Sequence, residues 1–290
     1  MKHTIYASYF GYITQAIVNN FLPLLFLTMS RQYRLTLDKI TLITTINFAV
    51  QLLVDLISAK FVDRIGHRVS VVAAHIFAAT GLIGLAFLPE LFADAYIGIL
   101  LCVILYAIGG GIIEVLISPI VEACPTEKKE AAMSLLHSFY CWGAVGAIAL
   151  STLFFVLFGT QNWRILTCLW ALVPLYNVYN FWTCPIEPIV KDGASMSISQ
   201  LFQTKIFWLF ILLMICSGAS EASMAQWASA FAESSLGISK TAGDLLGPCG
   251  FAVFMGISRV LYSRLGEKAD LNRFMILSGI LCLCSYLRIL

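Results

Sequence analysis

The stretch LISAKFVDRIGHR, residues 56–68, places four ionisable side chains in its last six residues: Asp63, Arg64, His67 and Arg68. The chain around it is 60% hydrophobic, and only 12% of its residues are charged. Its mean hydropathy of +0.88 lies far above the range of soluble globular domains. The sequence therefore predicts a membrane protein, in which such a charged stretch interrupts the apolar segments.

Nine apolar segments are long enough to cross a bilayer, which takes about 20 residues of helix. They run roughly over 5–29, 40–61, 70–88, 95–119, 132–158, 163–182, 206–230, 242–263 and 273–290. The first segment is too long for the apolar region of a cleavable signal. We therefore predict an all-α membrane protein with about nine spanning helices.

The basic residues are distributed unevenly between the two ends of these helices. If the N-terminus is cytoplasmic, twelve of the 18 Lys and Arg residues lie at cytoplasmic ends or loops, and six lie outside. Cytoplasmic loops of membrane proteins carry an excess of Lys and Arg. The distribution predicts a multi-pass protein in the lipid bilayer of the cell membrane, with its N-terminus in the cytoplasm.

Several kinds of site have no counterpart in the sequence. The nine cysteines show no zinc or disulfide spacing, and we interpret them as small packing residues. No glycine-rich phosphate loop, metal-ligand cluster or basic-aromatic surface for nucleic acid occurs. The stretch ICSGASE, 215–221, lacks the spacing of a serine-hydrolase elbow. We expect no enzyme activity, no cofactor or metal, and no nucleic-acid partner.

The charged stretch recurs 200 residues later. It aligns without gaps on GISRVLYSRLGEK, residues 256–268, with four identities in thirteen positions. Many transporters contain two related halves, and both copies close the second helix of their half. The longest polar stretch, 184–205, contains two prolines and a glycine, as expected of a linker. The predicted organisation is a six-helix bundle over 1–183, a cytoplasmic linker over 184–205 and a partial second bundle over 206–290.

The charged stretch resembles the loop motif of the major facilitator superfamily, G-x-x-x-D-R-x-G-R-[KR]. The matching residues are Asp63, Arg64, Gly66 and Arg68, whereas Ala59 replaces the first glycine and His67 a basic residue. In this motif the glycine permits a tight turn between two helices. The charged residues form contacts that hold the two halves together on the cytoplasmic side. A positively charged loop without a further role is the alternative interpretation.

The stretch ISPIVEACPTEKKEAAMS, 117–134, resembles the passage of this family into its fifth helix. The resemblance places Glu122 at the cytoplasmic end of helix four, where it could meet Arg68 as a latch when the cytoplasmic side is closed. A solvated charge at a helix end is the alternative. Family members have twelve helices in two bundles of six. The resemblance thus implies the major facilitator fold, with an incomplete C-terminal bundle and a truncated chain.

Polar residues inside the predicted spans point to a cavity. An ionisable side chain at the centre of a spanning helix costs on the order of 3 kcal/mol, so each one there requires an explanation. The second helix carries polar residues at spacings of three and four, which share one face: Thr44, Asn47, Gln51, Asp55 and Ser58. Such a face predicts a water-filled cavity, with a polar contact between helices as the alternative.

The predicted proton-coupling residues lie in helices four and five. Glu114 follows three glycines, and His137 lies near the start of the next helix. Each is about 10–12 Å from the cytoplasmic end of its helix, so antiparallel neighbours could bring them level. A buried carboxylate avoids its desolvation penalty by pairing or by staying protonated. We predict that Glu114, with His137, couples transport to protons, and Asp55 is a further candidate. A packing role for His137 is the alternative.

The predicted substrate site combines amide, hydroxyl, acidic and aromatic side chains. Its members are Tyr12, Gln15, Asn19, Asn47, Gln51, Glu221 and Trp227. Amides and hydroxyls bind the hydroxyl groups of a sugar, while an aromatic ring covers its apolar side. The same residues would also serve to pack helices together, which is the alternative.

Glu114 and the run HSFYCWG, 137–143, resemble the fucose-permease-like group of the superfamily. This resemblance implies a monomeric secondary active transporter that takes up a sugar or similar small polar solute with protons, by alternating access. Helix one lacks an acidic residue expected of a close relative of fucose permease. An exporter of drugs or metabolites is one alternative, although residues 142–151 lack the G-x-x-x-G-P-x-x-G-G run of such exporters. A receptor or remnant that does not transport is another.

Overall fold

The computed structural model describes residues 2–125, 129–187, 198–265 and 270–287, and within them the chain is helical with short connections. The helices are α1 (Lys2–Asn20), α2 (Phe26–Tyr33), α3 (Leu37–Ile65), α4 (His67–Leu91), α5 (Ala95–Ala123), α6 (Lys129–Phe158), α7 (Trp163–Thr183), α8 (Ile198–Gln203), α9 (Lys205–Ser235), α10 (Lys240–Asp244), α11 (Gly250–Leu265) and α12 (Leu271–Leu287). All nine predicted spans appear as helical segments, which confirms the predicted fold class.

Two of the predicted spans are interrupted. The first consists of α1, a 3-10 turn over Leu22–Leu25 and α2, while the eighth consists of α10, a π turn over Leu245–Cys249 and α11. Each turn contains a proline, Pro23 or Pro248, which has no N–H for the α-helical hydrogen bond. Both interruptions therefore lie where the chain loses an α-helical bond.

Seven segments within the described ranges are long and apolar enough to cross a membrane: Lys2–Tyr33, Leu37–Ser58, His67–Leu91, Ala95–Ala123, Lys129–Phe158, Lys205–Ser235 and Lys240–Arg264. A shorter apolar stretch, Arg273–Ser285, lies in α12. The sixth predicted span is α7, whose asparagines lower its hydropathy and which packs against α4 and α1.

The charged stretch 56–68 forms helix ends rather than a loop. α3 continues to Ile65, and α4 begins at His67, so one residue joins them. That residue, Gly66, has a φ of 93°, and its N–H donates to the Val62 carbonyl at 2.8 Å. Glycine adopts such a φ without a steric penalty. The turn between the helices therefore consists of a single residue, and the positive φ of its glycine makes this possible.

α4 and α5 pack backbone to backbone. A Cβ atom placed on Gly81 would lie 2.6 Å from the Tyr106 nitrogen, and one on Gly98 would lie 2.6 Å from the Leu88 carbonyl oxygen. A Cβ on Gly109 would likewise overlap the Ala74 carbonyl oxygen. These glycines let two long helices approach as closely as small residues do in membrane proteins. The two helices form the most extensive helix–helix contact of the described residues.

A buried polar cluster joins α1, α4 and α7. The Asn177 amide nitrogen donates to the Ala7 carbonyl oxygen at 3.0 Å and meets His75 Nε2 at 2.8 Å. His75 Nδ1 lies 2.7 Å from the Val71 carbonyl oxygen, so the ring donates there and accepts from Asn177. Because the polar groups satisfy one another, His75 is fully buried without being a cavity residue.

The helices begin and end at two opposite ends of the bundle, which we call the linker end and the far end. The linker end contains Gly66, Cys124 and Cys184, and the far end contains Arg34, Phe92 and Gly159. α9, α10 and α11 pack on the N-terminal bundle chiefly through α6 and α11. A Cβ on Gly256 of α11 would lie 3.2 Å from the Cys141 Cβ of α6. This contact fixes α11 beside α6 and leaves α9 facing α1.

Candidate functional site: a polar cavity between two groups of helices

A cavity of about 780 Å³ lies between the N-terminal bundle and the pair α9 and α11. Its polar lining consists of Tyr12, Gln15, Asn19, Gln51, Asp55, Glu114, Ser118, His137, Tyr140, Glu221, Gln226 and Arg259. Eight of the ten residues predicted for coupling and substrate binding are in this lining. Asn47 and Trp227 are the other two. The volume falls within the range of cavities that hold small molecules.

Side-chain amides connect α1, α3 and α5 at the cavity wall. Gln15 Nε2 donates to Glu114 Oε2 at 3.2 Å and to Gln51 Oε1 at 3.1 Å. Gln51 Nε2 donates in turn to Asn19 Oδ1 at 2.9 Å and to Asn47 Oδ1 at 3.1 Å. Asn47 is therefore not part of the lining, but it accepts a hydrogen bond from Gln51, which is. This hydrogen-bonded chain, from Glu114 to Asn47, is called the amide chain below.

The amide chain follows from sequence spacing. Gln15 and Asn19 are four residues apart on α1, and Asn47, Gln51 and Asp55 are each four apart on α3. Residues at this spacing lie on one face of a helix. Because the two faces meet, amides that would be costly alone in a membrane satisfy one another.

Three carboxylates line the cavity. They belong to Glu114 of α5, Asp55 of α3 and Glu221 of α9. Asp55 Oδ1 and Gln15 Oε1 are both buried, and neither has a hydrogen-bond partner among the described residues. The cavity wall therefore contains two oxygen atoms that are available to accept hydrogen bonds from a ligand.

Aromatic and basic groups line the cavity as well. Tyr12 Oη is 2.7 Å from Ser118 Oγ, and the Tyr12 ring centroid is 5.1 Å from that of His137. Tyr12 thus lies between His137 and the turn of α5 that follows Glu114. Arg259 of α11 is also in the lining. Glu114 and His137 line one cavity, as their depth predicted, with Tyr12 between them.

Arg259, Tyr140 and Gln226 line the cavity although the sequence did not single them out. Tyr140 accepts from the Asn20 side chain at 3.5 Å, and Gln226 Nε2 donates to the Asn19 carbonyl oxygen at 2.9 Å. One signal for Arg259 was present, because it lies in the second copy of the repeated stretch. An arginine inside a predicted span requires a partner.

Trp227 lies outside the cavity lining. Its ring packs against Phe26 of α2, with 5.4 Å between centroids. Adjacent residues of an α-helix differ by about 100° in direction, so Gln226 faces the cavity and Trp227 faces α2. The aromatic surfaces in the lining are Tyr12, Tyr140 and Phe48 instead.

The predicted cytoplasmic gate residues lie at the linker end. The Arg68 guanidinium donates to the carbonyl oxygens of Phe181 at 2.9 Å and Trp182 at 2.7 Å, at the end of α7. Glu122 is exposed at the end of α5, and in the described part of the chain it forms no ion pair with Arg68. Arg64 is exposed, and the Asp63 side chain is outside the described residues. In this conformation Arg68 caps α7.

The far end of the cavity is closed by contacts between the two groups of helices. Asp244 is fully buried and pairs with Lys240 at 3.1 Å. It also accepts hydrogen bonds from Thr152 and Ser229, while Lys240 donates to the Leu24 carbonyl oxygen. We call these five residues the far-end cluster. It ties α6 and the 3-10 turn of the N-terminal bundle to α9 and α10.

The cavity extends instead toward the linker end. Its lining includes Ser118, His137 and Arg259, which lie toward the linker ends of α5, α6 and α11, as well as Met214 and Gly218 of α9. Side chains 212–219 of α9 are exposed. The cavity therefore lies on the linker side of the far-end cluster and of the hydrogen bond from Gln226 to Asn19. No group of His, Cys, Asp and Glu in the described ranges is placed to hold a metal ion.

A family model described as Major Facilitator Superfamily matches residues 8–290. No curated protein sequence matches the chain at a significant level. A crystal structure of a D-xylose-proton symporter is similar with a TM-score of 0.66 at 17% identity, covering 92% of this chain and 68% of the other. The proton:xylose symporter XylE bound to 6-bromo-6-deoxy-D-glucose gives 0.57 at 12% identity, covering 94% and 55%. An inward-open conformation of the xylose transporter XylE from E. coli gives 0.54 at 16%, covering 96% and 68%.

Proposed function

Because this chain belongs to the major facilitator superfamily, we propose that it is a secondary active transporter that moves a small polar solute, a sugar or a related compound, together with protons. The observation that supports this most is the cavity of about 780 Å³, which carries twelve polar residues in its lining and lies between two groups of helices that the far-end cluster joins. A site at the junction of two related halves, open to one side at a time, is what alternating access requires.

The proposed organisation has 1–183 as one bundle, 184–205 as the linker and 206–290 as the second bundle. Contacts support this division, since α4 packs on α5 and α7, and α1 packs on α5 and α6. The described parts of the second bundle meet the first mainly along α6 and α11 and at the far-end cluster. We propose that the two bundles rock against each other about this contact.

The linker end is proposed to face the cytoplasm of the cell membrane. Basic residues are concentrated at the helix ends on that side, twelve of 18 when the N-terminus is inside. With this orientation the described conformation is inward-open. The Arg68 side chain then caps α7 while the cytoplasmic side is open, and we propose that it moves to Glu122 when that side closes.

Glu114 is the proposed coupling residue. It joins the amide chain through Gln15, and Asp55 and Glu221 are close enough to interact with it. Repulsion among three carboxylates in one cavity is relieved when one of them carries a proton. A proton taken up on one side of the membrane and lost on the other would therefore travel with the solute. His137, across Tyr12, is proposed to assist its release.

Uptake into proteoliposomes under an imposed pH gradient tests the proposal. The purified chain is reconstituted, and accumulation of radiolabelled neutral sugars and sugar acids is measured with and without the gradient. We expect accumulation that collapses when a protonophore removes the gradient. Accumulation that is equal with and without the gradient would contradict proton coupling, and no uptake or counterflow of any solute would contradict transport.

A further inference from the structure

Arg259 differs from the other charged residues of the cavity in its partners. Its guanidinium contacts the Met255 sulfur at 3.9 Å and lies against the Cys141 thiol. A guanidinium offers five N–H donors, and sulfur is a weak acceptor. Among the described residues no carboxylate forms an ion pair with Arg259, although three carboxylates line the same cavity. Within the described part of the chain, the strongest donor group of the site is therefore left without an oxygen acceptor.

The backbone of Arg259 is held firmly in place. Its carbonyl oxygen accepts a hydrogen bond from Ser134 Oγ of α6 at 2.8 Å. One turn earlier, Gly256 packs against Cys141 and Trp142 of the same helix. α11 is thus fixed against α6 at this level, and the guanidinium starts from a rigid point. A preorganised charge of this kind is typical of a binding group.

The charged residues of the cavity come from different helices. Glu114, Asp55 and Glu221 line it from α5, α3 and α9, and Arg259 lines it from α11. The amide chain in the same lining offers hydrogen-bonding groups to hydroxyls. A solute that carries both hydroxyl groups and a negative charge would match the amide chain and Arg259.

We propose that Arg259 binds a carboxylate of the transported solute, so that the substrate is a small polyhydroxylated monocarboxylate, such as a sugar acid, rather than a neutral sugar. This inference rests on the proposed transport function. The planar guanidinium matches a carboxylate with two parallel hydrogen bonds. A cation in a membrane cavity is costly without a counter-charge, and one guanidinium balances one negative charge. The solute supplies that charge when it binds.

Matched pairs of ligands test this. D-glucuronate, D-galacturonate and D-gluconate are compared with D-glucose, D-galactose and D-glucitol, by the change in Tm of the purified full chain at constant ionic strength. We expect at least one acid to raise the Tm more than its neutral counterpart. This excess should disappear in Arg259→Gln and persist in Arg264→Gln, because Arg264 is an exposed arginine of the same helix outside the cavity lining. No excess in the wild type, or an excess that survives Arg259→Gln, overturns the proposal.

A chemical readout on the unmutated chain covers a variant that fails to fold. Phenylglyoxal modifies accessible arginines, and peptide mass spectrometry follows Arg259 and Arg264 separately. The acid that stabilises the protein should slow modification of Arg259 at least about tenfold at 100 times its Kd, and leave Arg264 unchanged. Equal rates with the acid and its neutral counterpart overturn the proposal.

The two proposals fail in different ways. If Arg259→Gln accumulates a neutral sugar under a pH gradient as well as the wild type does, and acids neither bind nor compete, the transport function stands and the carboxylate site is wrong. If an acid protects Arg259 but no solute is taken up or exchanged, the carboxylate site stands and the transport function is wrong.

Discussion

Hydrogen bonds link Glu114 to the contact between Asn19 of α1 and Gln226 of α9. Gln15 joins it to Gln51, and Gln51 donates to the Asn19 side chain. The Asn19 carbonyl oxygen accepts from Gln226 of α9, so the chain ends on the opposite group of helices. A change in the charge of Glu114 can therefore alter the position of residues that touch α9.

Glu114→Gln should separate exchange from accumulation. The amide has the shape of the protonated acid and keeps a donor and an acceptor near Gln15, but it cannot release a proton. In proteoliposomes we expect solute counterflow close to that of the wild type and loss of pH-driven accumulation. Glu130→Gln, at an exposed position near the start of α6 and outside the cavity lining, serves as the control and should accumulate normally. Full accumulation by Glu114→Gln would move the coupling role to Asp55 or Glu221.

Sequence spacing was sufficient to group the polar residues of α1 and α3. Tyr12, Gln15 and Asn19 lie on one face, and so do Gln51 and Asp55. Spacing alone could not choose between Gln226 and Trp227 on α9, because the rotation of that helix is set by its contacts with α2 and the far-end cluster. Arg259 was missed for the same reason, since the packing of α11 on α6 turns it toward the cavity.

At the scale of elements, the far-end cluster depends on the irregular start of the eighth span. α10 ends at Asp244 and the π turn follows immediately. π turns inside helices often occur at functional positions. The arrangement brings Lys240 and Asp244 onto the same face as Ser229 of α9, and Thr152 of α6 reaches the same carboxylate. A few residues of α10 thus connect the two groups of helices.

Asp244→Asn should weaken the closed far end. The variant leaves Lys240, whose side chain is 22% exposed, without its counter-charge, and losing a hydrogen bond to a charged group costs about 1.5–3 kcal/mol. Because about 1.4 kcal/mol corresponds to a tenfold change, we expect the far-end-open population to rise at least about tenfold. The readout is labelling of Leu52→Cys, in the cavity lining, by an impermeant thiol reagent added from the far-end side.

The pair between Arg31 and Glu233 provides the control for that experiment. It also joins the two groups of helices, at 2.9 Å, but the Arg31 side chain is 74% exposed. Exposed ion pairs contribute about 0–1 kcal/mol. Arg31→Gln should therefore change Leu52→Cys labelling little. Equal effects of Asp244→Asn and Arg31→Gln would show that the far-end cluster is not the contact that closes the cavity.

Gly109→Ala should destabilise the protein, whereas Gly146→Ala should not. A methyl group on Gly109 would overlap the Ala74 carbonyl oxygen, and overpacking of this kind costs about 1–3 kcal/mol. Gly146 of α6 has no neighbouring atom within 4 Å of the added methyl, and alanine favours helix. Thermal unfolding of the purified variants measures the difference. Equal Tm values would mean that α4 and α5 separate easily.

The ends of the elements were less predictable than their existence. The charged stretch 56–68 suggested a loop, yet α3 continues to Ile65 because charged side chains are compatible with helix at the membrane surface. The break depends on the φ of Gly66, which hydropathy does not report. The 3-10 and π turns similarly follow from individual prolines inside otherwise apolar segments.

For the whole molecule, the orientation in the membrane is open to a direct test. Ser195→Cys lies in the predicted linker, outside the described residues, and Gln161→Cys lies exposed at the far end. The exposed native cysteines Cys216, Cys282 and Cys284 are replaced first. An impermeant thiol reagent should label Gln161→Cys in intact cells, and Ser195→Cys only after the membrane is opened. The reverse pattern would invert the proposed topology.

The global architecture could be predicted because each membrane-spanning helix is visible in the sequence as a segment of about 20 apolar residues. Nine such segments and one repeated stretch indicated the major facilitator superfamily, whose family model matches residues 8–290. The conformation could not be predicted, since a sequence that alternates between states is compatible with each of them. Which end is closed depends on small differences between contacts such as the far-end cluster and the proposed pair between Arg68 and Glu122.

The close approach of α4 and α5 has a mechanical consequence. Three glycines, spaced along both helices, bring one backbone against the other, so we expect the pair to move as one rigid unit during transport. A rigid unit passes a displacement at one end on to the other. Deformation during transport is therefore expected where side chains, rather than backbones, are in contact. The contacts of α9 with α2 and the 3-10 turn are of this kind, and we expect the speed of transport to depend on them.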